Sequence, residues 1–261
     1  MERYSTLWGT EQSGPYRRLG TSKRLGNFLT QKIGAANIKD VVELTEKLVT
    51  GITMLPGYEN ETLINKPLAV VYAPLYLEKK PGMTKGMKGF CALGISGQEH
   101  RDGMRVSTFS HTWFFPREDM LAEGEFNYLD LLMGTRLTNN QDVALHREGS
   151  LEINMEQLPQ KVQPVLVKKD MTVVLSTIDA LYQKKNVVLV LENGVNFNSR
   201  SMALLTQIYS MMQPVMATET GFATYQSQKR ILELSADTNV QIYLVPAGSD
   251  LSGLPASNSR S

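Results

Sequence analysis

The sequence predicts a mixed α+β and α/β chain, with N-terminal helices and an antiparallel meander followed by a helix-strand-helix-strand α/β subdomain. Three observations lead there. Apolar residues recur at helical spacing between Ser22 and Gly51. Between 68 and 115 the period changes to two, in three runs separated by short polar turns. Beyond Asp170, helical stripes alternate with short apolar runs, the order of a layered α/β unit. The chain has 261 residues, enough for one large domain or two modest ones with ample core. A boundary is expected within 150–170, giving an α+β subdomain over 1–155 and an α/β subdomain over 156–246 packed on it. The Ser-, Gly- and Pro-rich end, 247–261, is expected to be a disordered tail.

The first helix follows Ser22 as N-cap, with Leu25, Phe28, Leu29 and Ile33 on one side and Gly34 as its stop. A second is expected from Ile38 to Val49, ended by Gly51, and 51–65 reads as a loop. "LAVVYAPLYL" (68–77), "GFCALGIS" (89–96) and "MRVSTFSHTWFF" (104–115) are the three strands of the meander. Pro74 marks an edge or a bulge in the first of them. A helix is expected near 117–133. Asp170 is placed as the cap of a helix carrying Val174, Leu175, Ile178, Leu181 and Tyr182. "NVVLVLE" (186–192) has the unbroken apolar character of a strand buried on both faces. A helix over 199–212 follows, then strands "GFATY" (221–225), "RILELS" (230–235) and "VQIYLV" (240–245), the last two joined as a hairpin across "ADTN".

Composition excludes several functions. Net charge is +1, from 27 basic and 26 acidic residues, which argues against general nucleic-acid binding. Cys91 is the lone cysteine, so no internal disulfide and no Cys-pair zinc site is expected. His100, His111 and His146 form no short metal motif. No cofactor is expected. The opening "MERYSTLWGTEQ" lacks a charged start followed by an apolar core, and no apolar run approaches the ~18 residues needed to cross a bilayer. A cytoplasmic address without membrane attachment is therefore expected.

The most reactive-looking stretch is "GMRVSTFSHTWFFP" (103–116). On a strand, Arg105, Ser107, Phe109, His111, Trp113 and Phe115 share one face. Ser107 and His111 are then roughly 13 Å apart, too far for a nucleophile–base pair. "GISG" (94–97) lacks nucleophile-elbow spacing, and "PGMTKGMKG" (81–89) is not followed by Lys-Ser/Thr at phosphate-loop spacing. The latter reads as an exposed loop with Lys79, Lys80, Lys85 and Lys88. In "GPYRRLG" (14–20), Arg17 and Arg18 precede a predicted helix, where paired guanidinium groups meet an anion or acidic partner, or simply face water. Most of the thirteen methionines are expected in the core, including Met202 and Met212.

Two segments carry a family resemblance. "LWGTEQSGPYRRLGTSKRLG" (7–26) and "GMRVSTFSHTWFF" (103–115) together resemble the N-terminal domain of bacterial GTPase-associated proteins. That family opens with a short strand and a Gly-containing turn into a helix, and later carries a Gly-Arg…His strand. Here Met104 separates Gly103 from Arg105, while His111 falls at the corresponding place. Downstream, "SMALLTQIYSMMQPVMATETGFATY" (201–225) is similar to the family's helix, Pro-containing break and "F.TY" strand, although its basic pair is missing and Glu219 stands nearby. The resemblance spans most of 5–245. It implies a non-enzymatic adaptor that associates with a partner NTPase, most often a GTPase, in bacterial anti-phage conflict systems. Arg17, Arg18, Arg105 and His111 are the partner-binding candidates, the arginines chosen by residue type and by loop or strand position, with an arginine reaching a partner's nucleotide as arginine fingers do. Two other readings stay open: a small hydrolase using His111 with a distant acid such as Glu99 or Asp102, and a structural subunit of a larger assembly.

Overall fold

The structure is a computed structural model describing residues 4–10, 16–21, 24–28, 69–75, 90–99, 107–116, 167–192 and 196–254. The first expected helix is seen as helical at 25–28, and its remainder to Gly34, the second expected helix at 38–49, that near 117–133, the lysine-bearing loop at 79–88 and Arg105 lie outside these residues. Eight strands form one mixed sheet. They are β1 (Tyr4–Thr10), β2 (Tyr16–Thr21), β3 (Ala69–Leu75), β4 (Phe90–Glu99), β5 (Ser107–Pro116), β6 (Val187–Leu191), β7 (Gly221–Thr224) and β8 (Val240–Pro246). Their order is β2-β1-β5-β4-β3-β7-β8-β6. The class is α+β: from β2 to β7 every neighbouring pair is antiparallel, and β7, β8 and β6 are parallel.

β3, β4 and β5 form the expected meander, with β1 added on its outer side. Pro74 tolerates its interior strand for a simple reason. β7 pairs β3 only at Val71 and Tyr72, so at Pro74 the strand is locally an edge and its missing N–H leaves no ladder bond unmade on that side.

Among the described residues, four longer helical elements lie on the two faces: α1 (Met171–Tyr182), α2 (Phe197–Met211), α3 (Pro214–Glu219) and α4 (Gln228–Asp237). The connection from β6 through α2 and α3 to β7 passes over β8, and the connection from β7 through α4 to β8 runs back the opposite way. Crossovers of one hand travelling in opposite directions place their helices on opposite faces. Accordingly, Val174, Leu181, Leu204, Leu205 and Ile208 pack on Tyr72, Leu93, Phe222, Ile242 and Leu244 on one face. Ile231 and Leu234 of α4 pack on Val71, Ala223, Tyr243 and Val245 on the other, the face that also receives Leu25 and Phe28 from the helical turn at 25–28.

Three sequence expectations are corrected. "RILELS" is helical rather than a strand: Ser227 caps α4 by accepting from Arg230 N–H, and Ile231 and Leu234 are buried three apart. The expected hairpin of "RILELS" with "VQIYLV" is therefore absent: α4 leads into β8, and β8 pairs in parallel with β7. "VVLVL" is not buried on both faces. It is the last strand of the sheet, and Val190 is 51% exposed. Finally, 247–254 are ordered in turns despite their composition, because Leu251 and Leu254 pack partly buried against the α4 face; 255–261 lie outside the described residues.

Candidate interaction site

Arg17 and Arg18 belong to β2, the outermost strand on that side among the described residues, and not to a loop entering a helix. In the β1–β2 register they stand opposite Gly9 and Trp8. Leu7 pairs Gly20 and Trp8 pairs Arg18, so Leu19 is one residue in excess. Such a bulge kinks the strand and increases its twist. β1 and β2 pair antiparallel as a hairpin, separated by only the five positions 11–15, whose sequence includes Gly14-Pro15.

His111 is placed differently from a partner-binding residue. Its register neighbours are Leu7 on β1 and Ile95 on β4, both core residues. The imidazole stacks on Trp113, with ring centroids 3.9 Å apart, and only 2% of the residue is exposed. That places it inside the sheet layer, two strands from the β2 edge. Ser110, on the opposite face from His111, pairs its hydroxyl with that of Ser96 at 2.6 Å. That bond joins β4 to β5 through side chains.

At the C-terminal ends of the parallel strands, where α/β sheets commonly bind ligands, the chain's own polar groups bond to one another among the described residues. Ala247 N–H donates to Leu191 O, Val70 N–H donates to Thr224 Oγ1, and Gln226 Nε2 donates to Thr224 O. The backbone leaves β7 through Tyr225 at φ +53, a left-handed conformation costing a bulky residue about 1 kcal/mol or more. Tyr225 N–H donates to Leu244 O, and its ring meets Phe197 edge-on. Among the described residues, no group of three His, Cys, Asp or Glu side chains could hold a metal ion. Nor is any described helix long and apolar enough to cross a membrane.

One charged cluster escaped the sequence reading. Asp170 makes no capping bond to α1; its carboxylate takes a bidentate pair of bonds from Arg200 at 2.5 and 2.6 Å, with Gln207 Nε2 at 3.3 Å. Gln207 Oε1 accepts in turn from Val167 N–H. The cluster ties the start of α1 to two turns of α2. The Arg200 guanidinium holds the Asp170 carboxyl below its ordinary pKa, and this outweighs the opposing effect of burial. A carboxylate with a depressed native pKa contributes stability that is present above its unfolded value, ~3.9, and is lost as pH falls through the native value. Asp170→Asn is expected to cost about 2 kcal/mol at neutral pH and to flatten the acid limb of a stability-versus-pH curve, read by urea denaturation. An unchanged acid limb would remove the pair from the stability account. The sequence signal was weak because Asp170 and Arg200 are 30 residues apart.

No family model, curated protein or solved structure matches the chain.

Proposed function

We propose that the chain is a non-enzymatic interaction module that associates with a partner NTPase, a GTPase in the first instance, within a bacterial anti-phage conflict system. The observation that carries this reading is the position of Arg17 and Arg18 on β2, outermost among the described strands and next to a bulge. An edge strand offers a partner a row of backbone groups, and guanidinium groups there suit a carboxylate or phosphate on that partner. Arg105 is retained as a third candidate from the sequence. The burial of His111 supports an adaptor over a hydrolase, since a general base needs to reach a substrate. A cytoplasmic setting accords with this reading.

The test is affinity capture from the native host followed by mass spectrometry, with wild-type and Arg17→Ala/Arg18→Ala baits. Wild type is expected to retain an NTPase and to change its GTP turnover. The double variant is expected to lose at least tenfold in affinity while melting at the wild-type temperature. Equal capture and equal turnover by both baits would dispose of the arginine site.

A further inference from the structure

The opposite end of the sheet has a different chemistry. β6 pairs β8 in parallel from Val187 to Leu191 without a register shift. Among the described residues nothing pairs its other side. Exposed edge strands are ordinarily protected by a charge, a proline or a bulge. β6 has none of these: its sequence is Val-Val-Leu-Val-Leu, with Val190 half exposed and Val187, Val188 and Leu189 only partly covered. The helix that leads into it, α1, also leaves Leu175 and Tyr182 exposed, seven residues apart and so on one side of the helix.

We propose that β6 pairs antiparallel with β6 of a second copy of this chain across a two-fold axis, joining two eight-stranded sheets into one. The charges at the ends of the strand select this occupant and this direction. Lys184 and Lys185 precede β6, and Glu192 follows it. An antiparallel arrangement centred near Leu189 sets Val187 of each copy against Leu191 of the other, and brings the lysines of each copy beside Glu192 of the other. Symmetry makes that favourable contact twice. A parallel arrangement in register would instead stack lysine on lysine and glutamate on glutamate, which opposes open-ended strand addition. Lys185 and Glu192 are both exposed, so neither is committed to the core. This interface is independent of the partner reading, which concerns β2 at the other end of the sheet.

A five-residue strand with a few apolar neighbours makes a small interface, consistent with a dissociation constant of roughly 1–100 μM. Sedimentation velocity across that range tests it on the full chain. Wild type is expected to pass from monomer to dimer, with no larger species. Val190→Lys puts a cation on an exposed position of the strand and is expected to weaken the dimer at least tenfold. Lys185→Glu alone and Glu192→Lys alone each place like charges together and are expected to weaken it several-fold, while the double swap restores it. A monomer throughout, an open-ended series of larger species, a dimer indifferent to Val190→Lys, or single swaps that the double variant does not rescue would each overturn the proposal. The charge swaps lie on exposed side chains, so they remain informative if Val190→Lys folds poorly.

Discussion

Tyr72→Ala is expected to destabilise the protein by about 4 kcal/mol, measured by urea denaturation. Tyr72 is fully buried at the junction of the antiparallel and parallel halves, where its register partners are Leu93 on β4 and Phe222 on β7. Its ring stacks against Phe222 at 6.0 Å, and its hydroxyl donates to Thr218 O at 3.0 Å. The alanine therefore opens a cavity between β3, β7 and the end of α3 and also strands a carbonyl. Tyr72→Phe separates the two effects: it keeps the ring, loses the hydrogen bond and is expected to cost about 1–2 kcal/mol. If the alanine variant lost less than about 1 kcal/mol, the two halves would not be packed through this side chain.

The second large effect is expected at Gly221, which opens β7. A Cβ there would lie 2.7 Å from Tyr72 O and 2.8 Å from Asn239 O. Both are backbone atoms and neither can swing aside as a side chain would. Gly221 N–H also donates to Asn239 O, so the approach is a bonded one. Gly221→Ala is expected to cost about 3 kcal/mol, at the upper end of overpacking penalties. Gly26 is the control: a Cβ there meets nothing within 4 Å, so Gly26→Ala should be neutral or slightly stabilising. Equal melting temperatures for the two variants would mean that β7 is not held this closely.

How much was legible in the sequence follows from how local each signal is. The meander was readable because β3, β4 and β5 are successive strands with period-two patterning, each pairing the next. α1 and α2 were readable from stripes such as Val174 and Leu181, or Leu205, Ile208 and Tyr209. "RILELS" misled because its apolar residues fit both periods over six positions, and Ser227, the cap that decides between them, lies outside that run. "VVLVL" misled because an unbroken apolar run marks a parallel strand without saying whether it has neighbours on both sides; that depends on β7 and β8, which come later in the chain. At the candidate site, the residue types were visible and their placement was not. Arg17 and Arg18 acquire an edge only because β1 inserts between β2 and β5, and His111 is enclosed only because Leu7 and Ile95 come to flank it.

The narrow seam between the two halves has a consequence for how the chain folds. Only Val71 and Tyr72 of β3 pair with β7, and Val70 N–H meets Thr224 Oγ1 across 154 residues of chain. Closing a loop of that length costs about 4 kcal/mol of chain entropy before any contact rewards it. The β7–α4–β8 unit, by contrast, closes over fewer than 30 residues. Local units such as β7–α4–β8 are therefore expected to form before the seam is sealed, leaving the borders of β3 and β7 exposed to other chains until it closes.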